Sequence, residues 1–185
     1  MGMAMMNSES NKVPGRASEN AGGADQSAGG AGRRARDHSD EELIINRRRL
    51  PHWRLKGSVY FVTWNLQRGQ PDLTESEREL VTDIIRFKNK ERYLLFAFVV
   101  MNDHVHVVLQ PQGDESLDKI LHTWKSFSAN QMQKLHGRKG SIWLQEGFDR
   151  IIRDENELME KCEYVLTNPI RRWPEVRDYK WAGME

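Results

Sequence analysis

The sequence predicts an α+β fold: a ferredoxin-like (RRM-like) antiparallel sheet with helices packed on it, behind a disordered N-terminal tail. Three observations carry this expectation. Hydrophobic periodicity changes along the chain in the order strand, helix, strand, strand, helix, strand, helix, which builds a sheet covered by helices. The first aromatic residue is Trp53, so apolar bulk begins only there. Residues 1–40 are instead dominated by Gly, Ala, Ser, Asn and charge, with runs such as Ala21-Gly22-Gly23-Ala24 and Ala28-Gly29-Gly30-Ala31-Gly32. A segment of that composition cannot bury enough apolar surface to offset its ordering entropy. The expected organisation is therefore a tail over 1–40, a basic arm over 41–57 and one domain over 58–185.

Each element has its own warrant. Residues 58–66 (Ser-Val-Tyr-Phe-Val-Thr-Trp-Asn-Leu) are β-branched and aromatic, a strand composition. Gly69-Gln70-Pro71 turns the chain. Thr74 and Glu77 have capping-box spacing, and Leu80, Val81, Ile84, Ile85 and Lys88 follow at helical spacing to about Asn89. Residues 94–101 and 104–110 read as two strands joined by a tight turn at Asn102-Asp103. After the loop Pro111-Gln112-Gly113, the residues Leu117, Ile120, Leu121, Trp124 and Phe127 form the apolar stripe of a second helix. That helix runs to about Leu135. Ile142-Trp143-Leu144 and residues 148–152 are short strand candidates. Asp154 with Glu157 caps a third helix, which runs to Asn168 and stops at Pro169.

Composition excludes several function classes. The formal net charge is +1, so the protein carries no global basic signature for nucleic acid. Basic residues are nevertheless clustered: Arg47-Arg48-Arg49, Arg54 and Lys56 before the first predicted strand, and Arg171-Arg172 near the C-terminus. Such an arm can track phosphates without making the whole protein basic, although each run also fits a solvated surface. The single cysteine, Cys162, excludes an internal disulfide framework and a cysteine zinc knuckle. Asn102-Asp103 breaks the longest apolar run, so no membrane span is expected, and the N-terminus lacks the apolar core of a signal peptide. A cytoplasmic, bacterial location is the expectation.

His104-Val105-His106 is the motif with most chemical content. Residues two apart on a strand share a face, so the two imidazoles stand side by side while Val105 and Val107 face the other way. Paired neutral imidazoles are an open half of a metal site, and they are also ordinary strand histidines. Asp103 falls on the strand face opposite both, where a turn or surface role is expected. On the third helix, Leu158, Cys162, Val165 and Leu166 form the expected buried face, and Tyr164 lies off it beside Asn168, one turn on. A tyrosine hydroxyl can attack a phosphodiester if the phosphate is held and its charge neutralised; phenols titrate near ~10, so it needs that help. Lys125 on the second helix could hold a phosphate near the site or be a solvated lysine. Trp64, Trp124 and Trp143 are expected in the core rather than as stacking platforms.

The series Leu50-Pro51-His52-Trp53, Val59-Tyr60-Phe61-Val62-Thr63-Trp64, Met101-Asn102-Asp103-His104-Val105-His106, Phe148-Asp149-Arg150-Ile151-Ile152-Arg153-Asp154 and Tyr164-Val165-Leu166-Thr167-Asn168-Pro169 resembles the single-tyrosine HUH transposases of bacterial insertion sequences. The resemblance is greatest to the REP-associated tyrosine transposase branch, and it covers about residues 49–181. It implies that His104 and His106 are metal ligands, that Asn168 is the third ligand, and that Tyr164 is the nucleophile of a 5′-phosphotyrosine link. The implied substrate is single-stranded DNA with hairpins or imperfect palindromes, cleaved and rejoined with Mg²⁺ or Mn²⁺. Imidazole ligands suit Mn²⁺ at least as well as Mg²⁺. Arg47, Arg48, Arg49, Arg54 and Lys125 are the candidate DNA-binding residues. The resemblance leaves monomer and homodimer both open. An inactive or domesticated relative that only grips hairpin nucleic acid is the alternative, and a water-using metal hydrolase is a third.

Overall fold

Alternation in the segment from Tyr60 explains an inner strand and, with it, the two faces of the sheet. Tyr60, Val62 and Trp64 point to one face, Phe61 and Thr63 to the other. In the computed structural model, which describes residues 44–47 and 51–185, both faces are covered. The expected tail over 1–40 and the residues Arg48 and Arg49 lie outside the described residues, and only the backbone is described for Arg47 and Arg54.

The elements are β1 (Ile44–Arg47), β2 (Pro51–Arg54), β3 (Tyr60–Asn65), α1 (Glu75–Arg86), β4 (Tyr93–Val100), β5 (His104–Pro111), α2 (Leu117–His136), β6 (Phe148–Ile151), α3 (Glu155–Arg172) and β7 (Ala182–Met184). β1 and β2 pair as a separate antiparallel ribbon within the segment expected as a basic arm. The main sheet has the order β6-β3-β5-β4-β7, antiparallel throughout. Its first four strands, with α1 between β3 and β4 and α2 between β5 and β6, reproduce the ferredoxin-like order. The predicted fold class is the observed one.

α1 and α2 pack together on one face, over a core containing Val62, Trp64, Ile85, Phe98, Val105, Val107, Ile120 and Trp124. α3 covers β4 and β5 on the opposite face, where Phe61, Ala97, Val99, Met101, Val108, Cys162 and Val165 are buried. The apolar run of β4 is thus buried on both sides. A bulge between Leu95 and Ala97 lets Phe96 and Ala97 both serve the α3 face. Trp64, Trp124 and Trp143 are all core residues. Among the described residues no helix is long and apolar enough to cross a membrane.

Several elements differ from expectation. The capping box at Thr74 and Glu77 is present, but α1 ends at Arg86, capped by Phe87. Phe127 is not in the buried stripe of α2: it is 51% exposed, and Ser128 and Met132 take the buried positions. Of the candidate strand at 142–144, only Trp143 pairs, in a single bridge to Leu66. On α3, Leu166 is only partly buried, while Glu157 joins the buried residues. α3 does not stop at Pro169 but continues to Arg172. A proline inside a helix loses one backbone bond and crowds the preceding turn. Here its ring is buried and its carbonyl accepts the Trp173 N–H at 2.8 Å, so packing and a cap offset the loss.

Candidate active site at the seam of sheet and helix

The turn before β5 fixes where the histidines begin. The Met101 N–H donates to the His104 carbonyl at 2.8 Å, closing a tight connection through Asn102 and Asp103. Asx residues suit such turns because they tolerate non-strand backbone and supply local acceptors. This turn is also held from outside. The Leu66 N–H donates to the Asp103 carbonyl at 2.8 Å, and the Leu73 N–H to the Asn102 carbonyl at 2.6 Å. The Asn102 amide donates to Asp72 at 2.5 Å.

His104 and His106 emerge on the α3 face with ring centroids 4.6 Å apart. Each has its Nδ1 engaged. His104 Nδ1 lies 2.7 Å from the Asp103 carboxylate, a contact in which the ring Nδ1–H donates and the carboxylate oxygen accepts, directing Nε2 away from it. His106 Nδ1 lies 2.7 Å from the hydroxyl of Thr63, its neighbour across the β3–β5 ladder. Burial, with a smaller contribution from His104, pushes His106 down to about 3, against a weaker upward pull from Asp103. His106 is therefore a neutral imidazole near pH 7. Asp103 sits in the turn, as expected, but not on the face opposite the histidines. Its side chain folds back onto His104, and its other oxygen lies 3.9 Å from Arg172.

α3 brings Tyr164 to the same place. The Tyr164 ring is 5.4 Å from that of His106 and meets the Phe61 ring edge-on at 5.9 Å. Tyr164 is half-buried, packed against the α3-side core. Asn168 follows one turn later on the same helix face, also half-buried. Because α3 runs past Pro169, Arg171 comes back over this face, its guanidinium 5.3 Å from the centre of the Tyr164 ring. Arg171 belonged to a noted basic pair, but its place over Tyr164 needed the longer helix.

The structure thus brings His104, His106 and Tyr164 together, with Asn168 one turn away. Lys125 is not among them. It lies on α2, packed on the opposite face, and its ammonium donates to the carbonyls of Leu144 at 2.6 Å and Gln145 at 3.0 Å. Among the described residues no three His, Cys, Asp or Glu side chains converge on a metal position. The donor set nonetheless fits a divalent cation. Both imidazoles have Nδ1 occupied by an orienting partner and Nε2 left over, the usual arrangement of metal-binding histidines. Asn168, one turn beyond Tyr164, carries a neutral amide oxygen of the kind such an ion accepts.

A ferredoxin-like sheet that sets paired imidazoles on its central strand against a helix-borne tyrosine is the architecture of single-tyrosine transposases. The family described as "Transposase IS200 like" matches residues 59–167, more than half of the chain, and the protein belongs to that family. Its members are DNA-cleaving enzymes. A REP-associated tyrosine transposase of Escherichia coli (strain K12) is 24% identical over 132 residues, covering 69% of this chain and 77% of the relative. The solved structure of a REP-associated tyrosine transposase bound to a REP hairpin superposes with a TM-score of 0.59 at 22% identity, covering 75% of this chain and 82% of the other. That likeness is one of fold.

Proposed function

We propose that this transposase-family protein cleaves and rejoins hairpin-bearing single-stranded DNA through a covalent 5′-phosphotyrosine at Tyr164. The observation that carries the proposal is the convergence of Tyr164 on a histidine pair whose Nδ1 atoms are both taken, with ring centroids of 5.4 Å between Tyr164 and His106. The relative bound to a REP hairpin supports the substrate class.

His104 and His106, through Nε2, and Asn168, through its amide oxygen, would hold the divalent cation, Mg²⁺ or Mn²⁺. When bound, such an ion would polarise the phosphate and offset its charge. The Tyr164 oxygen attacks phosphorus, the bond to the 3′-side oxygen breaks, and that oxygen leaves as a 3′-hydroxyl. The phenolic proton is lost to solvent, and the leaving oxygen gains one. A free 3′-hydroxyl reverses these changes on rejoining, so no external energy source is needed. Arg171 stabilises negative charge on the tyrosine side of the reaction. Arg47, Arg48, Arg49 and Arg54 would contact the DNA backbone.

The test is incubation with hairpin-bearing single-stranded DNA and Mn²⁺, followed by denaturing electrophoresis. A protein–DNA band that Tyr164→Phe abolishes and chelation suppresses is the expected result. A band that survives Tyr164→Phe rules out the nucleophile. Cleavage without any covalent species favours hydrolysis by water, and hairpin binding without cleavage favours a binding module.

A further inference from the structure

α3 covers β4 and β5, and beside it an aromatic edge runs outward from the site across β3 to β6. Phe148, on β6, stands opposite Thr63 in the β3–β6 register and so projects to the histidine side of the sheet. Its ring is 6.3 Å from Phe61, which in turn touches both His106 and Tyr164. Phe61 is 7% exposed, but Phe148 is 50% exposed. The other exposed phenylalanines among the described residues, Phe87 and Phe127, belong to the α1–α2 layer.

Phe148 is also set firmly. Gly147 lies so close to β3 that a Cβ there would come 2.8 Å from the Thr63 carbonyl oxygen. Only glycine lets β6 begin at that distance, directly beside the residue that binds His106. Arg150, opposite Phe61 on the same sheet face, adds positive charge, with its side chain 42% exposed beside Glu157.

We propose that Phe148 forms a nucleobase subsite, stacking an unpaired base of single-stranded DNA next to the scissile phosphate. This deepens the proposed DNA-cleaving function and rests on it for the position of that phosphate. Stacking on an exposed aromatic is tolerant of base identity.

The test uses the full chain carrying Tyr164→Phe, so that binding is read without chemistry. Fluorescence anisotropy compares a blunt DNA hairpin, the same hairpin with a single-stranded thymidine tail, that tail with abasic residues, and an oligothymidine alone. Adding Phe148→Ala should weaken binding of the tailed hairpin and the oligothymidine roughly tenfold, in line with stacking on one aromatic. Phe148→Trp should retain it, and the blunt hairpin and abasic tail should not distinguish the variants. Unchanged tail binding in Phe148→Ala, or an equal loss for blunt and tailed hairpins, overturns the subsite, as does a parent protein that binds no single strand. A tail-specific loss in a protein that forms no phosphotyrosine adduct as wild type leaves the subsite standing and removes the catalytic proposal.

Discussion

The hydroxyl of Thr63 lies 2.7 Å from Nδ1 of His106, its directly facing neighbour across the central strand pair. A neutral imidazole has one proton to place. With Nδ1–H donated to the hydroxyl, Nε2 retains the lone pair that a cation needs. Thr63→Val keeps the β-branched shape but removes the acceptor. Expected is a roughly 10–100-fold loss of Mn²⁺ affinity, the usual effect of removing an orienting partner, with little change in melting temperature. Calorimetric titration of the variant with Mn²⁺ checks this. Unchanged affinity means that the Thr63 hydroxyl does not set the tautomer.

Asp103 plays the corresponding part for His104, and it does so as a carboxylate. Asp103→Asn still offers an oxygen to Nδ1–H, whereas Asp103→Leu offers none. DNA cleavage rates should therefore fall in the order wild type, Asn, Leu, with the second step the larger. The 3.9 Å pair with Arg172 is about half exposed at both ends, and its loss should cost no more than ~1 kcal/mol. Arg172→Gln is the control: it should leave cleavage close to wild type. If it matches Asp103→Leu, the ion pair rather than the imidazole contact is what matters.

Arg171 is a cation over the face of the candidate nucleophile, and its effect should fall on the chemical step. Arg171→Gln should lower the rate of adduct formation at saturating DNA about tenfold or more while changing hairpin affinity little. Single-turnover kinetics separate the two quantities. A pure loss of affinity, with an unchanged saturating rate, would make Arg171 a backbone contact instead.

The histidine face was legible because strand parity depends only on the chain's local repeat. Side chains that fold back escape such parity: Asp103 was assigned to the wrong side because a turn residue's torsions are free of the pleat. The length of α3 was misjudged for a related reason. Local sequence prices the missing N–H of Pro169 but not the burial of its ring. That error hid Arg171, which reaches Tyr164 only if the helix continues. Thr63 was seen as a strand residue, yet its contact with His106 needs the register of two strands separated by a helix and a further strand. β7 is three residues long and pairs only at the edge of β4. It has no periodicity of its own to read.

Arg138 and Glu77 form a buried pair beneath the turn that carries His104. The guanidinium donates to both carboxylate oxygens, at 2.5 and 2.6 Å, and also to the carbonyls of Pro71 and Asp72. Asp72 in turn receives the Asn102 amide, so this pair braces the β4–β5 turn. Burial alone would raise the Glu77 carboxyl. The hydrogen bond from Arg138, then that from the Thr74 N–H, outweigh it and hold the pKa below its ordinary value of 4.5. The folded protein thus binds the proton less well than the unfolded chain does. The resulting stability is present above about pH 4.5 and is lost as pH falls through the lowered value. Arg138→Met strands the carboxylate with burial as the dominant influence, so its pKa should move above the unfolded value and the sign should invert. Expected is a loss of ~3–5 kcal/mol near neutral pH, as for other broken buried pairs, and a smaller loss at about pH 4, where the carboxyl is protonated. Adding Glu77→Gln should recover part of the neutral-pH loss and flatten the pH dependence. Urea midpoints for the wild type and the two variants at both pH values test this, and an equal loss for Arg138→Met at both would refute the charge-based account.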